Sequence, residues 1–308
     1  METRRFGRSG LTVAAAGVHA SWRERDAGDG RRTLTTAMEL GVDVVLVDPA
    51  FDRAIEVIVG EVVRDLRLRD RAVVATRVPT AGAPDRSMHP RWIQHHVEAS
   101  LRRTRLEVLP LAILDWDDRC FYDKTWPDTR AGLERLIREG KVQRFGLAPR
   151  DGLALDEARL GVSESIFDAA VMPYHLLARA SVDAFLDTAK RHDAAVIATQ
   201  PLSRGLLGGA WTRDTTFAPG DARTDAWPPA RITEALTKVA KLAPLARKET
   251  DSLAELALRF ALQRPEISVV APSIRTRAHL DELVRAADGR RLGDSLLQRI
   301  DEALDLVA

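Results

Sequence analysis

The sequence has little of several features that would indicate a specialised class of protein. Its 308 residues include one cysteine, Cys120, and two tyrosines, and aromatic residues make up 5%. A single cysteine excludes an intrachain disulfide and a cysteine-rich zinc site. No apolar run has the length of a membrane span, and the opening METRRFGRSG has no apolar signal region. The net charge is only +1, with basic residues scattered among acids. We therefore expect a cytoplasmic protein that binds a small molecule and neither nucleic acid nor a membrane, while its oligomeric state is left open.

Apolar runs of strand length alternate with segments of helical period along almost the whole chain. This pattern predicts eight strands, at residues 13–18, 42–48, 72–78, 109–115, 142–147, 169–173, 194–199 and 269–273. An unbroken eightfold alternation of strand and helix predicts a closed parallel TIM (β/α)8 barrel, with one domain over residues 1–308. The irregular stretch 202–228 would cover the barrel mouth, either as a substrate lid or as a solvated connector.

Three predicted strands end on a charged residue, namely Asp48, Arg77 and Asp115. In a parallel barrel the C-terminal strand ends face one common mouth, so these side chains are candidates for a functional pocket. Opposite charges at neighbouring strand ends could also pair into a closed, inert network. The inward residues that we select on this basis are His19, Asp48, Asp52, Arg53, Arg77, Asp115, His175 and Gln200.

An acidic group at Asp115, Asp117 and Asp118 raises the question of a metal site, because hard cations prefer carboxylate oxygens. The spacing of these carboxylates matches no known metal-binding loop. Helix capping or pairing with Arg77 accounts for the acidic group as well as a metal site does. We therefore expect no metal.

Five segments resemble the aldo-keto reductase superfamily in order and spacing. They are RRFGRSGLTVAAAG, GLERLIREGKVQRFG, QPLSRGLLGG, SLAELALRFALQRP and VVAPSIRTRAHLDEL. The resemblance covers nearly the whole chain. It implies an eightfold barrel that binds NADP(H) in an extended conformation and transfers hydride to a carbonyl.

The resemblance also implies a catalytic set of Asp, a Tyr general acid five residues later, a Lys that lowers the Tyr pKa, and a His. The corresponding positions hold Asp48, Arg53, Arg77 and Asp115. Arginine does not lose its proton in proteins, so neither arginine can be the general acid. Either could instead hold an anion or pair with Asp48.

The cofactor positions that the resemblance implies are changed more at the nicotinamide end than at the adenosine end. Those that hold the nicotinamide in the family are here Ala148, Pro149, Val171 and Thr199. The candidates for the adenosine end are Leu202, Arg204, Gly205, Ser273, Arg275 and Glu282. We therefore expect NADP(H) binding to be weakened or lost. Arg275 could alternatively cap a helix or pair with Asp281.

Three functional hypotheses follow. In the leading hypothesis, the barrel mouth binds a small polar or anionic molecule and acts on it by non-redox acid–base chemistry. Asp48, Asp115 or His175 would provide the acid and the base. Arg53 and Arg77 would hold an oxyanion. The second is an NADP(H)-dependent oxidoreductase with a non-standard acid, for which Tyr122 and Lys124 are candidates. A solvated loop is the favoured interpretation of those two residues. The third is a non-catalytic protein that senses a nucleotide or supports a partner.

Overall fold

Eight parallel strands surround the central core in the order of the sequence. The computed structural model describes residues 1–22, 27–49, 53–80, 87–116, 125–149, 155–163, 165–218, 221 and 223–304. Two short strands precede the eight. The strands are β1 (Thr3–Arg5), β2 (Thr12–Ala14), β3 (Val18–Ala20), β4 (Val44–Val47), β5 (Val73–Val78), β6 (Leu111–Trp116), β7 (Phe145–Pro149), β8 (Phe167–Pro173), β9 (Ala195–Thr199) and β10 (Val269–Ala271).

The sheet from β3 to β10 closes on itself through backbone contacts between its first and last strands. Ala16 forms a parallel bridge with Val270. The Gly17 N–H donates to the carbonyl of Val270 at 2.9 Å, and the His19 N–H donates to the carbonyl of Pro272 at 2.9 Å. The predicted closed parallel TIM (β/α)8 barrel is therefore confirmed.

Helices cover the outside of the barrel. They are α1 (Ala27–Glu39), α2 (Ala54–Asp65), α3 (Pro90–Thr104), α4 (Trp126–Arg138), α5 (Leu155–Ser163), α6 (Ala180–Arg191), α7 (Arg223–Ala226), α8 (Pro229–Glu249), α9 (Leu253–Gln263), α10 (Arg277–Ala286) and α11 (Asp294–Ala303). Side chains fix several starts: Ser252 accepts from the N–H of Glu255, and Thr276 accepts from the N–H of His279. In the described part of the chain, no helix combines the length and apolar character needed to cross a bilayer.

The period of two along each strand determines which side chains face the barrel interior. On β4, Val44 and Leu46 belong to an inner apolar cluster, whereas Val45 and Val47 pack in the outer layer beneath the helices. Asp48, two residues after Leu46, continues this inward-facing series. The same alternation on β5 and β6 leads to Arg77 and Asp115. The strand period thus brings three charged residues to the C-terminal rim of the barrel.

The first strand differs from its prediction at 13–18. Residues Thr12–Ala14 form β2, which pairs antiparallel with β1, and the first barrel strand is β3. Phe6 and Val13 of this hairpin region join the inner cluster and cover its N-terminal end. The apolar run is divided because its first half closes the bottom of the barrel and only its second half belongs to the wall. His19 consequently lies within a strand, not after one.

Gly17 lies where the barrel closes and has no room for a larger side chain. A Cβ atom there would be 2.6 Å from Cγ1 of Val269 and 3.1 Å from the carbonyl oxygen of Val44. We predict that Gly17→Ala lowers the free energy of unfolding by about 1–3 kcal/mol, because overpacking a filled core costs that much. Urea denaturation measures the change.

The matched control is Gly28→Ala, at an exposed position of α1 where the nearest atom, in the Arg32 side chain, is 3.9 Å away. It should cause no loss of stability. Equal losses in the two variants would contradict the close packing at Gly17.

Candidate active site

Arg77 joins two carboxylates at the C-terminal rim. Its Nε donates to Oδ1 of Asp115 at 2.9 Å, its Nη2 contacts the same oxygen, and its Nη1 donates to Oδ2 of Asp48 at 3.3 Å. We call Asp48, Arg77 and Asp115 the mouth network. The exposed fractions of these side chains are 11%, 26% and 8%, respectively. Charged hydrogen bonds of this kind are shielded from much of the surrounding water and are therefore stronger than surface pairs.

The order of the strands explains why one arginine reaches both acids. β5 lies between β4 and β6, so Arg77 has Asp48 on one side and Asp115 on the other. The segment after β5 is fixed by Thr80, whose hydroxyl donates to the carbonyl of Asp115 at 2.6 Å. Thr80 was not among the residues selected from the sequence, because nothing in the pattern of residues 78–80 shows which carbonyl its hydroxyl would contact.

His19 lies on the neighbouring strand, where it pairs in register with Leu46, two residues before Asp48. Burial lowers the pKa of its imidazole to about 4. The charge of Asp48 opposes this lowering, and the charge of Arg77 adds to it. The ring is therefore neutral at pH 7. The mouth network itself consists of two carboxylates and one guanidinium.

Arg53 does not join this network. It lies on an exposed turn before α2 and makes no hydrogen bond or ion pair with the described residues. Its charge acts instead on His96 of α3, whose pKa is lowered mainly by burial and slightly by Arg53. Of the two pairings that the sequence left open for Asp48, the one with Arg77 forms and the one with Arg53 does not. Asp52 lies outside the described residues.

His175 and Gln200 lie on a cavity of about 550 Å³ beside the tops of β7, β8 and β9, under α8. We call it the side cavity and define it by Met172, His175, Gln200, Arg204, Trp227 and Arg231. The described residues that line it include neither His19 nor any member of the mouth network. The structure thus separates His175 from the other predicted catalytic residues.

The protonation of His175 can be assigned from its surroundings. Burial lowers its pKa to about 4, so the imidazole is neutral at pH 7. Its Nδ1 accepts from the backbone N–H of Leu177 at 3.3 Å, which leaves the proton on Nε2. His175 therefore offers a hydrogen-bond donor.

The predicted cofactor residues after β9 lie in a strained turn. Leu202 precedes a 3-10 helix, Ser203–Gly208, in which Ser203, Arg204 and Gly205 have φ angles of 49°, 59° and 107°, and Gln200 before it has a φ of 52°. Non-glycine residues in the left-handed region are uncommon and often occur at functional sites. Arg204 also donates from Nε to the side-chain oxygen of Gln200 at 3.2 Å.

The residues predicted for the adenosine end have different surroundings. Ser273 shares a hydrogen bond of 2.7 Å with Ser21, and Glu282 accepts from the hydroxyl of Ser252 at 2.8 Å. Arg275 is exposed beside a hollow of about 250 Å³ and forms no ion pair with the described residues. Asp281 pairs with Arg277 at 2.7 Å and not with Arg275.

The described tyrosine, Tyr174, serves the packing of the barrel. Its hydroxyl donates to Asp183 at 3.0 Å, and its ring stacks on Phe260 with centroids 5.9 Å apart. Burial and the Asp183 charge raise its pKa well above the ordinary value. Tyr122, Lys124, Asp117 and Asp118 lie outside the described residues. Within the described ranges, no group of three His, Cys, Asp or Glu side chains could hold a metal ion.

The two buried histidines predict a loss of stability in acid. Each has a pKa of about 4 in the folded protein against about 6.5 in the unfolded chain, so the unfolded chain binds more protons between these values. Stability should be complete above pH 6.5 and fall towards pH 4, by up to about 1.4 kcal/mol per pH unit for each histidine. His175→Gln should reduce this slope in urea denaturation between pH 7 and 4.5. The control is His95→Gln, at an exposed position of α3, and it should leave the slope unchanged. An unchanged slope in His175→Gln would contradict the lowered pKa of His175.

Comparison with known proteins places these observations in a family. Residues 15–305 match the model of the aldo/keto reductase family. The chain is 26% identical to the NADH-specific methylglyoxal reductase of Escherichia coli (strain K12), over 97% of this chain and 96% of that protein.

Solved structures agree with this match. The structure of glycerol dehydrogenase AKR11B4 from Gluconobacter oxydans superposes with a TM-score of 0.81 at 25% identity, over 98% of this chain and 94% of that one. An aldo/keto reductase from Klebsiella pneumoniae, solved in complex with NADP and acetate, has a TM-score of 0.74 at 21% identity, over 97% and 94%. The chain therefore belongs to the aldo/keto reductase family, a family of oxidoreductases, and relatives that it matches are named reductases.

Proposed function

We propose that the barrel mouth binds a small, neutral, polyoxygenated molecule and acts on it by non-redox acid–base chemistry, such as isomerisation, dehydration or cyclisation. The observation that carries this proposal is the contact of Arg77 with both Asp48 and Asp115. These residues occupy three of the four positions where the family resemblance implies the Asp, Lys and His of a reductase. The usual Tyr, Lys and His set has, in this proposal, been replaced.

Hydrogen-bond chemistry selects the class of ligand. Asp48 and Asp115 place carboxylate oxygens at the rim. Hydroxyl groups donate to carboxylate oxygens. We therefore favour a polyol or a hydroxy carbonyl compound over the anionic molecule that the sequence also allowed.

The network also limits which groups exchange protons. Arg77 cannot release a proton near neutral pH, so its role is to hold negative charge. The carboxylates of Asp48 and Asp115 can accept a proton and return it. In an isomerisation of a hydroxy carbonyl compound, one carboxylate removes a proton from the hydroxyl-bearing carbon and returns it to the former carbonyl carbon. The other carboxylate passes a second proton from the hydroxyl oxygen to the carbonyl oxygen. This exchange needs no oxidant or reductant.

Hydride transfer lacks its usual proton donor among the described residues. Arg53, at the position of the family tyrosine, is exposed and cannot act as an acid. Tyr174 is bound to Asp183, and its raised pKa makes it a poor acid. At two positions that hold the nicotinamide in the family, this chain has Ala148 and Val171, which offer its amide no side-chain partner.

One relative supports the ligand class. The Gluconobacter oxydans protein is named a glycerol dehydrogenase, and glycerol is a small neutral polyol. The barrel mouth in the present chain could accept a molecule of this class with its hydroxyl groups directed to Asp48 and Asp115.

A second candidate is an NADP(H)-dependent oxidoreductase with a non-standard acid. It is favoured by Arg275, which is exposed and free of ion pairs with the described residues. The same hollow is lined by Arg32, which pairs with Asp29, and by Arg277, which pairs with Asp281. The guanidinium of Arg275 suits a phosphate group. The Klebsiella pneumoniae structure contains NADP, so the fold accommodates that cofactor.

We predict that the protein, without added cofactor, catalyses deuterium uptake or interconversion of neutral hydroxy carbonyl compounds in D₂O. Dihydroxyacetone, glyceraldehyde and sugars of four to six carbons form a suitable panel, followed by proton NMR. Asp48→Asn and Asp115→Asn should each lower the rate by about 100-fold, as expected for removal of an acid–base group. Arg53→Gln is the matched control and should leave the rate unchanged.

Titration with NADPH and a carbonyl panel distinguishes the alternatives. Cofactor consumption without any cofactor-free exchange would overturn the proposal in favour of the oxidoreductase. Binding of NADPH or of a polyol without any conversion would overturn it in favour of a non-catalytic sensing or partner-supporting protein.

A further inference from the structure

The segment that follows β5 contacts both the mouth network and α3. β5 and β6 pair in register up to Val78 and Leu114. The residue after β5 is Pro79, which has no N–H to donate to a further rung of the ladder. The hydroxyl of Thr80 supplies a donor beyond it, to the carbonyl of Asp115 at 2.6 Å. A side chain therefore joins the two strand ends at the level of the mouth network.

This hydrogen bond is buried at both ends. Thr80 is 3% exposed and Asp115 is 6% exposed. A buried carbonyl that lacks a donor costs free energy, so the hydroxyl of Thr80 satisfies the backbone as well as linking the strands. On its other side, Asp115 pairs in register with Ala148 of β7. The backbone that carries the Asp115 carboxylate is thus held from both sides.

α3 holds the same segment from outside the barrel. The Nε1–H of Trp92 donates to the carbonyl of Pro79 at 2.8 Å. The indole ring packs against His96, one turn later on α3, with ring centroids 4.5 Å apart. The segment is therefore tied to β6 by Thr80 and to α3 by Trp92.

The contact between Arg77 and Asp115 is sensitive to the position of this segment. Arg77 lies two residues before Pro79, and its Nε donates to Oδ1 of Asp115 at 2.9 Å. Hydrogen bonds weaken steeply as their geometry departs from the optimum. A displacement of about 1 Å in a catalytic group can cost about 100-fold in rate. Without the Thr80 link, the end of β6 could move relative to β5.

We propose that Thr80 is a positioning residue for the mouth network and that Trp92 supports it from α3. The hydroxyl of Thr80 acts through the backbone of Asp115, which sets the place of that carboxylate against Arg77. The expected effect on rate rests on the proposed function. The effect on the contact between Arg77 and Asp115 does not, because it can be measured without a substrate.

The first test follows the Nε–H of Arg77 by proton–nitrogen NMR of the full-length protein without added ligand. Its signal is identified by its absence in Arg77→Lys. In the unchanged protein this proton should exchange slowly with water, because a carboxylate accepts it. Thr80→Val keeps the shape of the side chain and removes the donor, so it should speed the exchange at least tenfold. Thr80→Ser keeps the hydroxyl and should retain slow exchange.

Two further variants make this result specific. Trp92→Phe removes the donor on the α3 side and should also speed the exchange, which keeps the test decisive if Thr80→Val does not fold. Thr104→Val is the matched control, because Thr104 is also buried and its hydroxyl donates to the carbonyl of Ser100 at 2.8 Å, at the opposite end of α3. It should leave the exchange unchanged. Thermal melting of each variant checks that it is folded.

The second test measures deuterium uptake into dihydroxyacetone. Thr80→Val should lower kcat at least tenfold and leave KM within twofold, because the acid–base groups are displaced while the hydroxyl-binding oxygens remain. Thr80→Ser should recover at least half of the lost rate. A variant that was merely less stable would show neither this separation of kcat from KM nor the recovery.

Two results would overturn the proposal. They are an exchange rate of the Arg77 Nε–H that is the same in Thr80→Val as in the unchanged protein, and rapid exchange of this proton in the unchanged protein. Absence of deuterium uptake by the unchanged protein with every compound of the hydroxy carbonyl panel would instead overturn the proposed function, and the Arg77 exchange rates would still decide the positioning role of Thr80.

Discussion

The contact of Arg77 with both Asp48 and Asp115 is the interaction on which the proposed chemistry of this barrel depends. Two carboxylates on the rim of an apolar barrel would repel each other and lose hydration without a cation between them. The strand order puts that cation on β5, between the two strands that end in an acid. The proposed preference for neutral hydroxyl groups rests on the carboxylate oxygens that this arrangement holds at the rim.

The mouth network and the side cavity differ in the elements that form them. The mouth network belongs to the barrel wall, so its geometry is set by strand register and by Thr80. The side cavity is formed by strand tops together with α8 and the strained turn after β9. Its arginines come from segments outside the strands. The geometry of the mouth network therefore follows from strand register, and that of the side cavity follows from the packing of α8 and the turn after β9.

How far the sequence predicts the structure depends on whether a regular period fixes a side chain. Asp48, Arg77 and Asp115 could be predicted as neighbours, because each continues an inward alternation and parallel strands share one rim. Arg53 and His175 lie beyond strand ends, where no period sets the direction of a side chain, and neither joined the mouth network. The run at 13–18 gave no sign that its first half pairs with β1, since hairpin and barrel strands are equally apolar. The side cavity could not be predicted, because only tertiary packing brings Arg231 of α8 close to His175.

The most direct test of this account is a double-mutant cycle on Arg77→Met and Asp115→Asn, with the free energy of unfolding measured by urea denaturation at pH 7. The variants remove the charges while keeping side chains of similar size. If the mouth network holds as described, the cycle should give a coupling energy of about 1–3 kcal/mol between Arg77 and Asp115. Effects that add to within about 0.5 kcal/mol would mean that the two residues act independently, and would contradict the account.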